Sequence, residues 1–348
     1  MRILHYVLGL KNGGIENLVV NLANKQVALG NEVAVMVLSE QISSVLLNKL
    51  DRSVQRFLVM KPLGSKNPYY LYLINMYYRK YRPDVFHLHN SSVLWMFPKL
   101  HKTEKRFVTM HSDTSRIKWS RNVNKYIAIS ETVKQYYEIT TGHKDCVVCY
   151  NGIVVDSVKQ KHSYNNRPHT YISVGRLDKV KGFDFLIEAF AQLKIKGYDF
   201  RFEIWGDGLE RDNLQNRINE LSLNNEVILF GDVDNAYVNA HLSDFDVFIQ
   251  ASRHEGLGIA SIEAMVAGIP VLLSNTAGLK EVSNNGRFAT LFEVDDIKSF
   301  VDSFIGLDAD YSIKVELARQ ARLYAIKTFS IDTMARNLSS IYDTTEAE

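Results

Sequence analysis

Residues 246–275 read DVFIQASRHEGLGIASIEAMVAGIPVLLSN, and this stretch decides how the chain is understood. Its apolar run Val247–Ile249 predicts a strand, followed by a polar loop, a helix-compatible segment and a second apolar strand from Pro270 to Leu273. Glu255 and Glu263 flank the loop-to-helix junction. Between them Gly256 and Gly258 let the backbone approach a ligand closely, because glycine has no side chain to hold it away. The amides of Gly258, Ile259 and Ala260 would open the helix, where free N–H groups bind phosphate oxygens. Amides for a diphosphate, with a carboxylate on each side for sugar and ribose hydroxyls, suit a nucleotide-sugar. The simpler alternative is a loop with a solvated glutamate at each end. The ordered neighbours Ser252, Gly256, Gly258, Ala264, Gly268 and Pro270 favour the first.

Outward from this stretch, strands and helices alternate, which predicts parallel α/β sheets. At 348 residues the chain is long for one core and fits two domains. We place them at residues 1–157 and 170–327, with a polar linker at 158–169 and a C-terminal helical segment at 328–348. Hydrophobic content of 46% and charged content of 23% are ordinary for a soluble protein. No run reaches the about 18 apolar residues of a membrane span. The start MRILHYVLGL reads as a first strand rather than a signal peptide, so a cytoplasmic location is expected. Cys146 and Cys149 lie three apart on a predicted strand and so face opposite ways. Buried thiols suit them better than redox or zinc chemistry.

Net charge of +2 conceals an asymmetry. Residues 1–165 hold 23 Lys+Arg against 11 Asp+Glu, and residues 166–348 hold 18 against 28. A basic first half implies an anionic partner or surface. Its candidates are Arg79, Lys80 and Arg82 beside the tyrosine-rich helix Tyr69–Tyr81, then Lys102, Lys105, Arg106, Arg116, Lys118 and Arg121. That helix is apolar all round, which predicts burial against a sheet or, alternatively, contact with a bilayer interface. No nucleic-acid recognition motif accompanies these charges.

Several loops fall at predicted strand ends, where α/β sheets make ligand contacts. Lys11-Asn12-Gly13-Gly14 separates the first strand from a helical pattern. His87 and His89 share a face of the strand 84–90, and His111 and Asp113 end the strand 106–113. Such pairs could suggest a metal, although ligand contacts of a general kind explain them better. Gly175-Arg176-Leu177 and Lys181-Gly182 could bring two cations to one diphosphate, or leave two solvated charges. Gly206-Asp207-Gly208 and Gly231-Asp232-Val233 are further turns of this kind.

The segment SRHEGLGIASIEAMVAGIPV resembles the signature of the family-four retaining glycosyltransferases, the GT-B group that builds bacterial polysaccharides. The resemblance implies two Rossmann-like doubly wound domains facing a cleft, with the last helix returning to the first domain. It implies that Glu255 contacts the transferred sugar, Glu263 the ribose, and the amides near Gly258 and Ile259 the diphosphate. Arg176 and Lys181 would neutralise the leaving diphosphate, and His111 would lie beside the donor sugar. Gly14 and Gly206 would approach the substrates, and the nucleobase would meet the backbone near Val233. The implied donor is a UDP-sugar, the acceptor a saccharide or lipid-linked saccharide, and no metal or other cofactor is required. Peripheral contact of the basic domain with the inner membrane face is expected. A UDP-sugar 2-epimerase of the same fold, and a non-catalytic nucleotide-sugar-binding subunit, are the alternatives. Two positions depart from the family pattern: Val154 stands where an aspartate follows Asn151-Gly152, and Arg287-Phe288-Ala289 replaces a glycine turn.

Overall fold

The computed structural model describes residues 1–11, 13–89, 96–98, 100, 102–112, 119–165 and 167–346. Asn12, Asp113, Arg116 and Lys118, singled out above, lie outside them. The chain divides into two compact units, 1–153 with 329–348, and 154–328.

The first unit alternates β1 (Arg2–Val7), α1 (Gly14–Ala28), β2 (Glu32–Ser39), α2 (Ser44–Lys49), β3 (Gln55–Lys61), α3 (Pro68–Tyr81) and β4 (Val85–Leu88). It continues with β5 (Lys105–Met110), β6 (Lys125–Ala128), α4 (Glu131–Thr141) and β7 (Cys146–Val148). All pairs are parallel, in the order β3-β2-β1-β4-β5-β6-β7. Runs such as EVAVMVLS on β2 are buried almost throughout, as a sheet covered on both faces requires. Strand order reverses between β1 and β4, where His5 lies opposite His87.

The second unit runs β8 (Thr170–Val174), α5 (Phe183–Ile195), β9 (Arg201–Trp205), α6 (Arg211–Glu220), β10 (Val227–Gly231) and α7 (Asn235–His241). It ends with β11 (Val247–Gln250), α8 (Ile259–Ala267), β12 (Val271–Ser274), α9 (Ala277–Val282), β13 (Thr290–Phe292), α10 (Ile297–Ala309) and α11 (Tyr311–Phe329). Its sheet is parallel in the order β10-β9-β8-β11-β12-β13 and reverses between β8 and β11. An aromatic core of Phe185, Phe190, Phe202, Phe300 and Phe304 fills one side of it. In open α/β sheets such a reversal leaves a crevice at the strand C-termini for ligands. Each unit has one such reversal.

The stretch read as a polar linker is hydrogen-bonded to the second unit. Lys161 donates its ammonium to Phe245 O and its amide to Ala267 O, and the Tyr164 hydroxyl donates to Gly268 O. The division between units falls earlier, at Ile153/Val154. The last helix, α12 (Ile331–Thr344), belongs to the first unit. Ile153 and Phe329–Ile331 exchange backbone hydrogen bonds at 2.8 Å, and Lys25 of α1 pairs with Asp332. A side chain at Gly152 would lie 2.6 Å from Ile331 Cα, so this junction requires glycine.

Helix α3 is buried on one face only. It buries Ile74, Tyr78 and Tyr81 and exposes Tyr69, Leu71, Tyr72 and Met76. Two of the basic candidates are corrected. Arg106 is 1% exposed, paired with Glu104 and donating to Phe97 O, while Lys105 donates to Tyr342 O at 2.7 Å. Both are structural. The remaining basic candidates that the structure describes, Arg79, Lys80, Arg82, Lys102 and Arg121, are exposed. Counted by unit, the first holds 22 Lys+Arg against 14 Asp+Glu and the second 19 against 25, so the asymmetry persists but shrinks. Cys146 and Cys149 are free and buried, and burial pushes each thiol up to about 12, so both remain protonated at neutral pH.

Candidate functional site

At the reversal point of the second sheet, the loop after β8 turns at Gly175 and ends in a 3-10 turn, Lys179–Lys181. The loop after β11 carries Ser252–Gly258 to the start of α8. The two loops are clamped by Arg253. Its guanidinium pairs with Asp184 of α5 at 2.9 Å and with Asp295 at 2.9 Å, and its amide donates to Val180 O at 2.8 Å. Gly182, at φ +69°, lets the loops touch: a Cβ there would lie 2.2 Å from Ala251 O. Sequence reading missed Arg253 because its partners lie 69 and 42 residues away.

Within this clamp Lys181 Nζ meets Glu255 Oε2 at 2.7 Å. Gln250 Nε2 and the Ser252 hydroxyl donate to the same oxygen, at 2.7 and 3.1 Å. Oε1 of Glu255 takes no hydrogen bond from the described residues, so the carboxylate is held by one oxygen and offers the other. Its backbone is fixed too, since a Cβ on Gly278 would lie 2.2 Å from Glu255 O.

Gly258 caps α8 in the left-handed region, at φ +84°, and a Cβ there would meet Leu279 Cδ2 at 2.6 Å. No side chain caps this helix. The first-turn amides of Ile259 and Ala260 have no intrahelical acceptor and stay available to an anion, while Ser261 N–H bonds to Gly258 O. One turn on, Glu263 is buried and accepts from Asn235 of α7 at 2.8 Å. Burial pushes its carboxyl up to about 7, against the pull of Asn235. Asn235 was not foreseen, and only the fold brings it to Glu263.

The structure thus gathers Lys181, Glu255, Gly258, Ile259 and Glu263. Arg176 is placed differently: its side chain is 82% exposed and pairs with Asp178 at 3.1 Å. Gly206 serves the scaffold, because a Cβ at its φ of +144° would lie 1.9 Å from Gly175 O. Val233 is half-buried, two residues past Gly231 at the end of β10.

Gly14 and His111 belong to the first unit. Gly14 opens α1, and a Cβ there would meet nothing within 4 Å. His111 follows β5, one strand beyond that unit's reversal point, and its ring is hydrogen-bonded to His89 at 3.1 Å. Behind it lie His5 and His87, which with His89 bring one ring nitrogen each within 4.8 Å of one another and could hold a metal ion. Every nitrogen of these three rings is already hydrogen-bonded, so an ion would have to displace those partners. Burial lowers His5 and His111 to about 4 and holds His87 and His89 well below their ordinary range, so all four are neutral at pH 7. Asp113, which would have completed a second ligand pair, lies outside the described residues.

Chemically, the second unit offers helix amides and an ammonium for a diphosphate, and two carboxylates for hydroxyls. Residues 154–327 match the model of the glycosyl transferases group 1, and residues 12–157 that of glycosyltransferase family 4. A 2-deoxystreptamine N-acetyl-D-glucosaminyltransferase of Niallia circulans is 24% identical over 77% of this chain and 78% of its own. A Campylobacter jejuni N-acetylgalactosamine-N,N'-diacetylbacillosaminyl-diphospho-undecaprenol 4-alpha-N-acetylgalactosaminyltransferase is 30% identical over 56% of this chain and 52% of its own. Among solved structures, a glycosyltransferase from Rickettsia africae aligns with a TM-score of 0.81 over 98% of this chain and 97% of its own, at 21% identity. Anabaena HepE in complex with UDP and glucose gives 0.80 over 99% and 100%, at 18% identity. Two parallel Rossmann-like sheets, the matched family models and the signature around Glu255 and Glu263 agree, and the chain belongs to the family-four glycosyltransferases of the GT-B fold.

Proposed function

We propose that this glycosyltransferase moves a sugar from a UDP-sugar, with retention at the anomeric carbon, to a lipid-linked saccharide in cell-surface polysaccharide assembly. One observation carries the reading: Glu255, held at Oε2 by Lys181, Gln250 and Ser252, sits before a glycine-capped helix that bears the buried Glu263. The free Oε1 of Glu255 would accept a hydroxyl of the transferred sugar, and Glu263 the ribose hydroxyls. The amides of Ile259 and Ala260 would take the diphosphate, with Lys181 and a reoriented Arg176 stabilising it as it leaves. Lys181 can serve both partners, since an ammonium donates three hydrogen bonds. This assignment gives the leaving group its positive charge without a metal.

Retention by two displacements needs a carboxylate nucleophile. In our reading both glutamates are committed to holding hydroxyls, so attack proceeds on the face the diphosphate leaves, with a phosphate oxygen accepting the acceptor's proton. Catalysis is then largely positioning and charge stabilisation. A lipid-linked acceptor agrees with the diphospho-undecaprenol in the name of the Campylobacter relative. It also agrees with the exposed Tyr69, Tyr72 and Met76 beside Arg79, Lys80 and Arg82, which suit an anionic inner-leaflet surface. No helix among the described residues is long and apolar enough to cross a membrane.

Thermal stabilisation by a panel of nucleotide-sugars, followed by NMR of the product's anomeric carbon, tests this reading. Stabilisation by a UDP-sugar and a product of unchanged anomeric configuration are expected. An inverted product would overturn retention, and an epimerised donor formed without acceptor would identify an epimerase.

A further inference from the structure

The first unit buries a chain of imidazoles that ends at His111. Gln26 of α1 is fully buried, and its Oε1 lies 2.6 Å from His5 Nε2. His5 Nδ1 lies 3.1 Å from His89 Nε2, and His89 Nδ1 lies 3.1 Å from His111 Nε2. The last atom in line, His111 Nδ1, is covered and has no hydrogen-bond partner among the described residues. Four groups from α1, β1 and the ends of β4 and β5 therefore form one unbranched line.

Such a line has a direction. A neutral imidazole carries one N–H and one bare nitrogen, so each link fixes the next. The amide oxygen of Gln26 can only accept. His5 must then donate from Nε2 and accept at Nδ1, His89 must do the same, and His111 must donate from Nε2. Its Nδ1 is left without a proton. If the amide turned over, every proton would shift to the other nitrogen, and His111 would carry its proton on Nδ1. The orientation of one glutamine thus decides the chemistry of a ring three links away.

His87 lies beside this line on partners of its own. The Tyr342 hydroxyl of α12 and the Thr109 hydroxyl of β5 bond to the two nitrogens of His87, which stacks on His89 with ring centres 4.6 Å apart. The Gln26 Nε2 has no hydrogen-bond partner among the described residues, so the amide is held through its oxygen on His5.

We propose that Gln26, through His5 and His89, fixes His111 in the tautomer protonated at Nε2, leaving Nδ1 as the ring's bare acceptor nitrogen. Gln26, His5 and His89 are positioning residues. The inference rests on the reading of His111 as a substrate contact, but the tautomer measurement that tests it does not.

Long-range 1H–15N correlation of [15N]histidine-labelled protein reads each tautomer directly. The wild type should show His5, His89 and His111 all protonated at Nε2 near pH 7. Gln26→Leu removes the acceptor and should give His111 a mixture of tautomers. The kcat/KM should fall in step with the fraction that has lost the Nε2–H form. Gln26→Met, closer in shape, removes the same acceptor, should give the same mixture, and serves if Gln26→Leu does not fold. A wild-type His111 protonated at Nδ1 would overturn the proposal, as would an unchanged tautomer in a folded Gln26→Leu protein. Zinc taken up stoichiometrically by His5, His87 and His89, with loss of the His89 Nε2–H signal, would also overturn it. If the tautomers are as expected but His111→Ala leaves turnover intact, the chain is real and the substrate contact is not.

Discussion

Both units put their polar groups where strand order reverses, yet those groups titrate in opposite senses. In the first unit, burial drives four histidines to the neutral form. In the second, burial drives Glu263 toward its neutral form, while Glu255 is held by a lysine, an amide and a hydroxyl. Desolvation is the same force in each case, and the sign follows from whether the charged form is a cation or an anion. Acid therefore threatens the first unit and relieves the second.

The largest expected effect lies in that contrast. The folded histidines have lowered pKa values, so their stability is present above the unfolded value near 6.5 and is lost as pH falls toward 4. With several such groups the loss should amount to several kcal/mol, since each tenfold drop in one group's proton affinity on folding corresponds to about 1.4 kcal/mol. Hydrogen-exchange protection factors should fall in β1 and β4 between pH 6.5 and 4.5 before they fall in β8 and β11. Simultaneous loss in both units would break the comparison.

Next in size is Lys181→Ala. It removes the ammonium beside Glu255 and should lower turnover about 10²-fold with the fold retained, the usual cost of one preorganised electrostatic contact. Near-native turnover in a folded variant would remove Lys181 from the site.

Glu263→Gln sharpens the comparison from the other side. A carboxyl raised to about 7 contributes stability that is fully present below the unfolded pKa near 4.5 and lost as pH rises through 7. The glutamine variant should therefore gain about 3 kcal/mol over wild type at pH 8 and less than about 1 kcal/mol at pH 5, measured by urea unfolding without ligand. It should also raise donor KM with little change in kcat, whereas Glu255→Gln should mainly lower kcat. A variant that is less stable than wild type at pH 8 would mean the carboxylate is better solvated than its burial implies.

The smallest effect concerns α3. Co-sedimentation with anionic vesicles should weaken steadily with salt, each basic residue near the surface contributing about 1 kcal/mol. Arg79→Glu together with Arg82→Glu should abolish it, while Lys105→Glu is expected to act through folding instead, since its ammonium bonds Tyr342 O. Binding that ignores lipid charge would rule out the electrostatic mechanism.

How much was legible in the sequence differs between the two units for a physical reason. The second unit's site is contiguous: Ser252 to Glu263 spell a loop, a glycine cap and a helix, and local chemistry gives each a role. What escaped there, Arg253's clamp and Asn235's bond to Glu263, depends on long-range packing. The first unit's polar line is assembled from distant places. His87 and His89 were visible as a pair on one strand face, but His5 reads as an isolated strand histidine and Gln26 as an ordinary helix residue. Tyr342 reaches His87 across 255 residues of sequence. Arg106 was read as a surface charge because sequence gives no sign that Glu104 and Tyr78 bury with it. The α/β alternation, the two domains and the C-terminal return were visible; the docking of residues 158–165 was not, because it is held by backbone carbonyls of the second unit rather than by apolar periodicity.

Calorimetric titration of UDP and of uridine into wild-type and Lys181→Ala protein tests the central claim most directly, with GDP and ADP as the competing bases. The two ligands share a base and ribose and differ in the diphosphate, which is what Lys181 and the α8 amides are assigned to hold. The substitution should weaken UDP binding about tenfold or more and leave uridine binding unchanged. Equal affinity of wild type and variant for UDP would contradict the account, and so would an equal loss for both ligands.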